Sequence, residues 1–278
     1  MDSRAIGIWD SGLGGLTVVK EIQSLLPGER LVYFGDTARV PYGTKGVQTV
    51  RRFARQNSRF LMGEGVKLMV VACNTASAVA LDGLEAELGI PVLGVIEPGA
   101  KAAARATRSG IVGVIGTPAT IASGAYTTAL RALRGGLSVE ARACPLFVPL
   151  VEEGWLDHPA TRLIAGEYLS PLKELRVDTL VLGCTHYPLL RPLIQEFMGE
   201  NVRLVDSAEE TAQGVARVLA AQQLAAAVGN AGSLTCFVSD LPLRFRQVGE
   251  LFLGHSVGEL RLADFNAAEG SASALEAD

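Results

Sequence analysis

The chain carries four cysteines, at positions 73, 144, 184 and 236, and two of them stand in matching contexts. Cys73 follows the apolar run Leu68 to Val71 and precedes Asn74-Thr75, while Cys184 follows Thr179 to Leu182 and precedes Thr185-His186. Each reads as an apolar strand, a small residue, the cysteine, then two polar residues opening a helix. A thiol at a helix start lies among backbone N–H groups and at the positive end of the helix dipole, where charge on sulfur is favoured. Cys144 and Cys236 lie in or beside apolar runs and read as small core hydrophobes. Two thiols facing one ligand suit inversion at a carbon centre, one taking a proton from one face and the other supplying a proton to the opposite face. The α-proton of an amino acid is a very weak acid, so such a site also needs preorganised donors and exclusion of water. Proton exchange of this kind needs no cofactor.

The elements that must position these thiols are legible as alternating patterns. Short runs rich in Val, Ile and Leu predict strands at Ala5 to Trp9, Leu31 to Phe34, Leu68 to Val71, Val92 to Val95, Ile111 to Ile115, Val139 to Ala143, Thr179 to Leu182 and Val202 to Val205. Helical periodicity predicts Leu16 to Leu26, Val47 to Glu64, Ala76 to Leu88, Ile121 to Leu133, Thr161 to Leu175 and Leu189 to Met198. Apolar strands separated by helices indicate parallel βαβ units buried on both faces. Eight such strands fit either a closed barrel or two four-stranded sheets. The two cysteine contexts lie 111 residues apart, about one small domain, which reads as a distant internal duplication. The predicted fold is therefore α/β with two similar lobes, each a mainly parallel four-stranded sheet flanked by helices, and a site in the cleft between them. Ligands of open α/β sheets gather at the carboxyl ends of the strands, where both thiols fall. Crossings near Glu97-Pro98 and Asp206-Ser207 give a first lobe of residues 1–97 plus 207–278 and a second of residues 98–206. Ala208 to Ala227, Leu234 to Val238 and Pro242 to Leu253 then form a helix, a late strand and a helix on the first lobe. The tail from Asn266 lacks apolar periodicity and is expected to fray.

Composition narrows the function classes. Hydrophobic residues make up 49% and charged residues 19%, enough apolar surface for cores and too little charge for a disordered chain. A net charge of −4 without a basic stripe speaks against nucleic acid as a ligand. No run approaches the roughly 18 apolar residues of a membrane helix, and Ala5 to Trp9 is too short for a secretion signal, so a cytoplasmic location is expected. The cysteines form no C-x-x-C pair and no disulfide framework, which leaves reduced thiols and no structural metal site.

Around the cysteines, several residues qualify as ligand contacts. Asp10-Ser11-Gly12-Leu13-Gly14-Gly15 follows the first strand and resembles a turn offering N–H groups to an anion, a carboxylate rather than a phosphate, since G-x-G-x-x-G spacing is missing. Asp10 reads equally as an ammonium partner or base and as a helix N-cap. Pro41-Tyr42-Gly43 and Gly116-Thr117-Pro118 follow later strands and bring hydroxyls. His186 lies close enough to tune Cys184 or touch a ligand, and Glu152 reads either as a proton relay or as part of a solvated helix start.

Taken together, Trp9-Asp10-Ser11-Gly12-Leu13-Gly14-Gly15-Leu16-Thr17, Pro41-Tyr42-Gly43, Ala72-Cys73-Asn74-Thr75-Ala76-Ser77 and Gly183-Cys184-Thr185-His186-Tyr187-Pro188 closely resemble the bacterial glutamate racemases of the aspartate/glutamate racemase superfamily. The likeness extends to about Leu219, through Glu97-Pro98-Gly99, Pro149 to Gly154 and Val205 to Ala208. It implies interconversion of L- and D-glutamate for peptidoglycan synthesis, with no metal and no pyridoxal phosphate. It further implies that Cys73 takes the proton from D-glutamate and Cys184 from L-glutamate. Asp10, Ser11, Tyr42, Gly43, Asn74, Thr75, Thr117, Thr185 and His186 would bind substrate, with Glu152 in support. The family usually has Phe in place of Trp9, a change that leaves the chemistry intact. Members commonly form homodimers, and some carry an N-terminal extension linked to activation by a cell-wall precursor. The short segment before the first strand here predicts no such activation. Alternatives are a racemase for aspartate or a hydantoin, a cysteine hydrolase with Cys184 as nucleophile, and a non-catalytic regulator. The hydrolase reading places Cys184 and His186 two residues apart on a helix start, where they diverge, and leaves Cys73 without a role.

Overall fold

A computed structural model of the chain describes residues 2–227 and 229–263. In chain order the first lobe begins with β1 (Ala5–Asp10), α1 (Leu16–Leu25), β2 (Arg30–Gly35), α2 (Val47–Gly63), β3 (Val66–Val71), α3 (Asn74–Val79), α4 (Leu84–Leu88) and β4 (Val92–Gly94). A helix α5 (Ile96–Ala106) leads to β5 (Ile111–Gly116), α6 (Pro118–Ala122), α7 (Ala125–Leu133), β6 (Ser138–Ala143), α8 (Phe147–Glu152), α9 (Pro159–Glu174), β7 (Thr179–Gly183), α10 (Arg191–Met198) and β8 (Arg203–Asp206). The chain returns through α11 (Ser207–Ala221) to β9 (Ser233–Val238), α12 (Pro242–Leu253) and β10 (Glu259–Leu262).

Two sheets result, both parallel throughout. One has six strands in the order β10-β9-β2-β1-β3-β4, the other four in the order β6-β5-β7-β8. The expected pair of lobes is present, but the first sheet has six strands rather than four. β9 pairs with β2 and β10 pairs with β9, extending the edge that β2 would otherwise expose. Glu259 to Leu262 alternates charged and apolar residues at an edge and gives too weak an apolar signal to be read as a buried strand. The orders 2-1-3-4 and 6-5-7-8 are the same, so β3 and β7 hold equivalent places beside the first strand of their sheets. Each cysteine therefore stands at the carboxyl end of the strand adjoining a switch point, where open α/β sheets form crevices.

The β1 strand is buried along its whole length, with Ile6, Ile8 and Trp9 fully inaccessible. Complete burial contributes roughly 1.5–3 kcal/mol for an aliphatic side chain of this size, and the strand's ends are fixed accordingly. Trp9 donates from Nε1 to Ser58 Oγ on α2 at 3.1 Å, which satisfies its polar atom inside the core.

Four predicted helices differ in detail, one of them Ala208 to Ala227, which ends at Ala221 as α11. The run from Ala76 to Leu88 is broken into α3 and α4 at Gly83, which has φ +79°. Ile121 to Leu133 is likewise divided at Gly124, φ +66°. Positive φ is available to glycine without a Cβ clash, so a helical apolar period can continue across a backbone break. Leu189 to Leu190 belongs to a short 3₁₀ turn, Tyr187–Leu190, before α10. The first crossing, expected at Glu97-Pro98, falls inside the first turn of α5. Pro98 is tolerated there because first-turn N–H groups lack helical partners. The tail expected to fray, from Asn266, lies outside the described residues. Among those residues no helix is long and apolar enough to cross a membrane.

Candidate active site

The carboxyl ends of the two sheets face each other, and one small cavity lies between them. Its walls include Ser11, Tyr42, Gly43, Cys73, Asn74, Thr75, Thr117, Cys184, Thr185 and His186, together with Val40, Pro41 and Val148. Of the residues singled out from sequence, only Asp10 and Glu152 are missing from this wall, and both stand directly behind it. The space open to the centre of a water molecule is about 20 Å³, room for about one water. The cleft is therefore narrow around its two thiols.

Cys73 ends the β3 connection and precedes α3, with Ser77 N–H bonding to its carbonyl at 2.8 Å. Its Sγ lies 3.6 Å from Ser11 Oγ, to which it donates. Burial pushes the thiol up to about 12, and the nearby Asp10 carboxylate adds to this, against opposing contacts from the Ala76 N–H and Ser11. The helix start thus does not make Cys73 a thiolate. Desolvation outweighs a helix of six residues, and the group is a protonated acid at neutral pH.

Cys184 leaves β7 and enters a 3₁₀ turn instead of the expected α-helix. Its side-chain partner is an imidazole: His186 Nδ1 lies 3.8 Å from Cys184 Sγ. The other ring nitrogen, Nε2, lies 2.9 Å from Glu152 Oε1 at the end of α8. Burial works against charge on His186, yet its contacts with Cys184 and Glu152 raise it to about 10. Burial likewise opposes the Glu152 carboxylate, but the His186 bond and the Arg244 charge hold it below its usual range. At neutral pH an imidazolium therefore presents Nδ1–H to the Cys184 sulfur, a charge-assisted donor for negative charge developing there. The two thiols have unlike surroundings: Cys73 is backed by a hydroxyl and a carboxylate, Cys184 by a cation. The remaining cysteines, Cys144 and Cys236, are fully buried, and burial raises both to about 12.

The glycine turn after β1 directs some of its N–H groups to its own Asp10. Asp10 Oδ1 accepts the Gly12 N–H at 2.9 Å, so that donor is already used. Gly14 is where the lobes meet: a Cβ there would stand 2.1 Å from Thr185 Oγ1 and 2.7 Å from His186 Nδ1. Thr185 Oγ1 reaches back to Asp10 Oδ2 at 3.4 Å. Asp10 does not cap α1, whose N-cap is Gly15. Burial raises its carboxyl above the usual range, against the His186 charge and the N–H groups of Gly12 and Gly15.

Hydroxyls complete the wall. Thr75 Oγ1 lies 2.9 Å from Thr117 Oγ1 and 3.2 Å from Thr120 Oγ1, and Thr117 and Thr120 are 2.9 Å apart, a buried triangle spanning the cleft. Thr117 also caps α6. Gly43 approaches so closely that a Cβ would lie 2.5 Å from Thr117 Cβ. Tyr42 lines the cavity, but its hydroxyl is engaged away from it, donating to the buried Asp36 and accepting from Asn57 Nδ2 at 3.1 Å. Asp36 also accepts from Arg39 Nε at 2.7 Å and Ser239 Oγ at 3.0 Å. Asp36, Thr120 and Val148 were not singled out from sequence. Asp36 carries a usable signal, because it follows β2 as Asp10 ends β1. Thr120 and Val148 carry none beyond lying near candidate residues.

Comparison with known proteins agrees with this geometry. Residues 14–215 match the model of the family described as Asp/Glu/Hydantoin racemase. A glutamate racemase from Geobacter metallireducens is 56% identical over 260 residues, covering 94% of this chain and 96% of that protein. The crystal structure of Francisella tularensis glutamate racemase in complex with D-glutamate superposes with a TM-score of 0.89 at 38% identity, covering 96% of this chain and 100% of that one. The Thermus thermophilus glutamate racemase structure, in complex with β-chloro-D-alanine, gives a TM-score of 0.86 at 47% identity, covering 96% and 99%. With two like parallel sheets, a thiol at the same strand end of each, and a family match across most of the sequence, this chain belongs to the Asp/Glu/Hydantoin racemase family.

Proposed function

We propose that the enzyme interconverts L- and D-glutamate by proton transfer between Cys73 and Cys184, supplying D-glutamate for peptidoglycan synthesis. The observation that carries this reading is that both thiols line one narrow cavity while approaching it from different sheets. Glutamate is preferred to aspartate because the relatives compared above bear that name. In one direction Cys184, entering the step as thiolate while Cys73 is a thiol, accepts the α-proton of L-glutamate: a C–H bond breaks, an S–H bond forms, and the electron pair stays on carbon. The Cys73 S–H then breaks and its proton goes to the opposite face of that carbon, leaving D-glutamate and Cys73 as thiolate. The reverse direction runs the same steps backwards, and the proton balance closes with the two thiols alone.

Unlike surroundings fit unlike tasks. The His186 imidazolium stabilises charge on Cys184 when it serves as base, and the protonated Cys73 is ready as acid. Ser11, Asn74, Thr75, Thr117 and Thr185, with the backbone at Tyr42 and Gly43, would hold the substrate's polar groups. Asp10, behind the wall, would face the ammonium through this shell, and Glu152 would keep His186 charged. Because the free space between the thiols is far smaller than an amino acid, binding requires residues 1–97 with 207–278 to part from residues 98–206. A homodimer and a cytoplasmic location belong to the same reading.

The test uses α-deuterated L- and D-glutamate with Cys73→Ser and Cys184→Ser, alongside incorporation of solvent deuterium at the α-carbon. In Cys73→Ser, removal of the proton from D-glutamate becomes the slow step, so the primary isotope effect is large for D-glutamate and small for L-glutamate. Cys184→Ser reverses the pattern. Full racemisation of both enantiomers by either variant, or the same asymmetry in both, would disprove two-cysteine chemistry. Faster turnover of aspartate than glutamate would reassign the substrate.

A further inference from the structure

Tyr126, on α7 of the second lobe, takes no part in the chemistry above, yet its hydroxyl reaches across the cleft. It donates to Asn74 Oδ1 at 2.7 Å, and both residues are buried. An amide whose oxygen is held in this way can present only its NH₂ to a ligand. Asn74 Nδ2 is buried and, among the described residues, has no hydrogen-bond partner, although Asn74 belongs to the cavity wall. An unpartnered buried donor is unfavourable, a cost that an acceptor arriving in the cavity relieves.

The place of the Tyr126 hydroxyl in the fold is equally specific. A Cβ added to Gly99, in the crossing helix α5, would lie 3.2 Å from this hydroxyl and 3.3 Å from the Ser207 Cβ. Ser207 opens α11, the return crossing, and its hydroxyl is a further polar neighbour of the Tyr126 oxygen. The ring itself lies against the end of β7, since a Cβ on Gly183 would stand 3.0 Å from its Cε2. One hydroxyl thus stands beside both crossings between the lobes and bonds to the amide of a wall residue from the opposite lobe.

We infer that Tyr126 is a positioning residue: its O–H fixes the Asn74 amide so that Nδ2 donates to a carboxylate of the bound amino acid, and does so only when the lobes are together. The inference rests on Asn74 belonging to the substrate site. The hydrogen bond spans the cleft, so opening the lobes breaks it and frees the amide to rotate. Closing restores the donor in one orientation, which makes the affinity for substrate depend on closure.

The experiment is a double-variant cycle with Tyr126→Phe, Asn74→Ala and the pair, followed by steady-state kinetics with both glutamate enantiomers. A hydrogen bond of ordinary strength corresponds to roughly a 3- to 10-fold effect. Tyr126→Phe is expected to raise KM by about that factor with a smaller change in kcat, as loss of uniform binding does. In the Asn74→Ala background it should add less than about 2-fold, because its effect passes through that amide. A ring that served only packing would instead multiply its effect into the double variant, and that result overturns the inference. An unmoved KM in Tyr126→Phe, with KM raised by Asn74→Ala, overturns it too while sparing the site. An unmoved KM in Asn74→Ala removes the site assignment of Asn74 and the inference together. Gly99→Ala, which crowds the hydroxyl while leaving the phenol intact, is expected to reproduce the KM increase, and a wild-type KM there contradicts the role of the crossing.

Discussion

The most direct perturbation of the asymmetry between the thiols is Glu152→Gln. Glutamine keeps an acceptor opposite His186 Nε2, now 2.9 Å from the Glu152 carboxylate, and removes the charge. Hydrogen bonds to charged groups exceed neutral ones by about 1–2 kcal/mol. One pKa unit is 1.36 kcal/mol, and the Glu152 side chain is 21% exposed, so solvent screening favours the lower end of that range. His186, raised to about 10 in the wild type, should therefore fall by roughly one unit. The assay is a nuclear magnetic resonance titration of imidazole-labelled protein, whose three histidines are His158, His186 and His255. Only the His186 transition should move. In both proteins it remains protonated at pH 7, so kcat there changes little, while near pH 9.5 the variant should keep about a third of wild-type activity. Thermal stability supplies a second reading. The folded value of His186 lies above its unfolded value of 6.5, so its stabilisation is complete below pH 6.5 and is lost as pH rises through about 10. Glu152 is lowered from 4.5, so its share is present above that pH and is lost on acidification. The melting-temperature gap between wild type and variant should be widest from above pH 4.5 to about pH 9, since the unfolded His186 value is common to both, and should narrow as pH rises through about 10. A His186 transition near 6.5 in the wild type, or one unmoved by the substitution, would refute the pairing as the cause.

Gly14→Ala should preserve the fold of each lobe but prevent closure, since its Cβ would sit 2.1 Å from Thr185 Oγ1. Activity is expected to drop by on the order of 10²-fold, as misplacement by about 1 Å does, and a variant with wild-type kcat/KM would show that the approach is dispensable. Lys67, fully buried and 2.6 Å from the nearly inaccessible Glu29, tests stability apart from chemistry. Lys67→Met leaves the carboxylate unpaired, at a cost of about 3–5 kcal/mol. Calorimetry should show a melting temperature lower by roughly 6–20 °C, with kcat/KM at 20 °C, a temperature chosen below unfolding, unchanged. A shift under about 3 °C would mean that Glu29 is relieved in another way.

Much of the site was legible because its key signals are local. Apolar runs of four or five residues mark strands buried on both faces, and a cysteine just beyond such a run must lie at a sheet's carboxyl edge. The recurrence of that context at Cys73 and Cys184 therefore told these two from Cys144 and Cys236, and the equal strand orders of the two sheets give the recurrence its structural meaning. Glycine breaks at Gly83 and Gly124 escaped the pattern because an apolar period can run through a change in backbone direction. The alternating edge strand Glu259–Leu262 escaped because an edge needs little apolar signal.

What sequence alone determined was thus the α/β order, the two-lobed plan and the paired thiols. Only the tertiary structure decided their electrostatic roles. Burial, which raises Cys73 despite its helix start, is a property of everything packed around a residue. The Glu152–His186 pair joins positions 34 residues apart, and the Tyr126–Asn74 bond joins positions 52 apart across two sheets. The turn of the Tyr42 hydroxyl toward Asp36 likewise follows from how a strand end and a loop meet in space. Local patterns record which face of an element is apolar. Desolvation and cross-lobe hydrogen bonds arise only when distant segments close on one another, and these set which thiol is held as acid and which faces a cation.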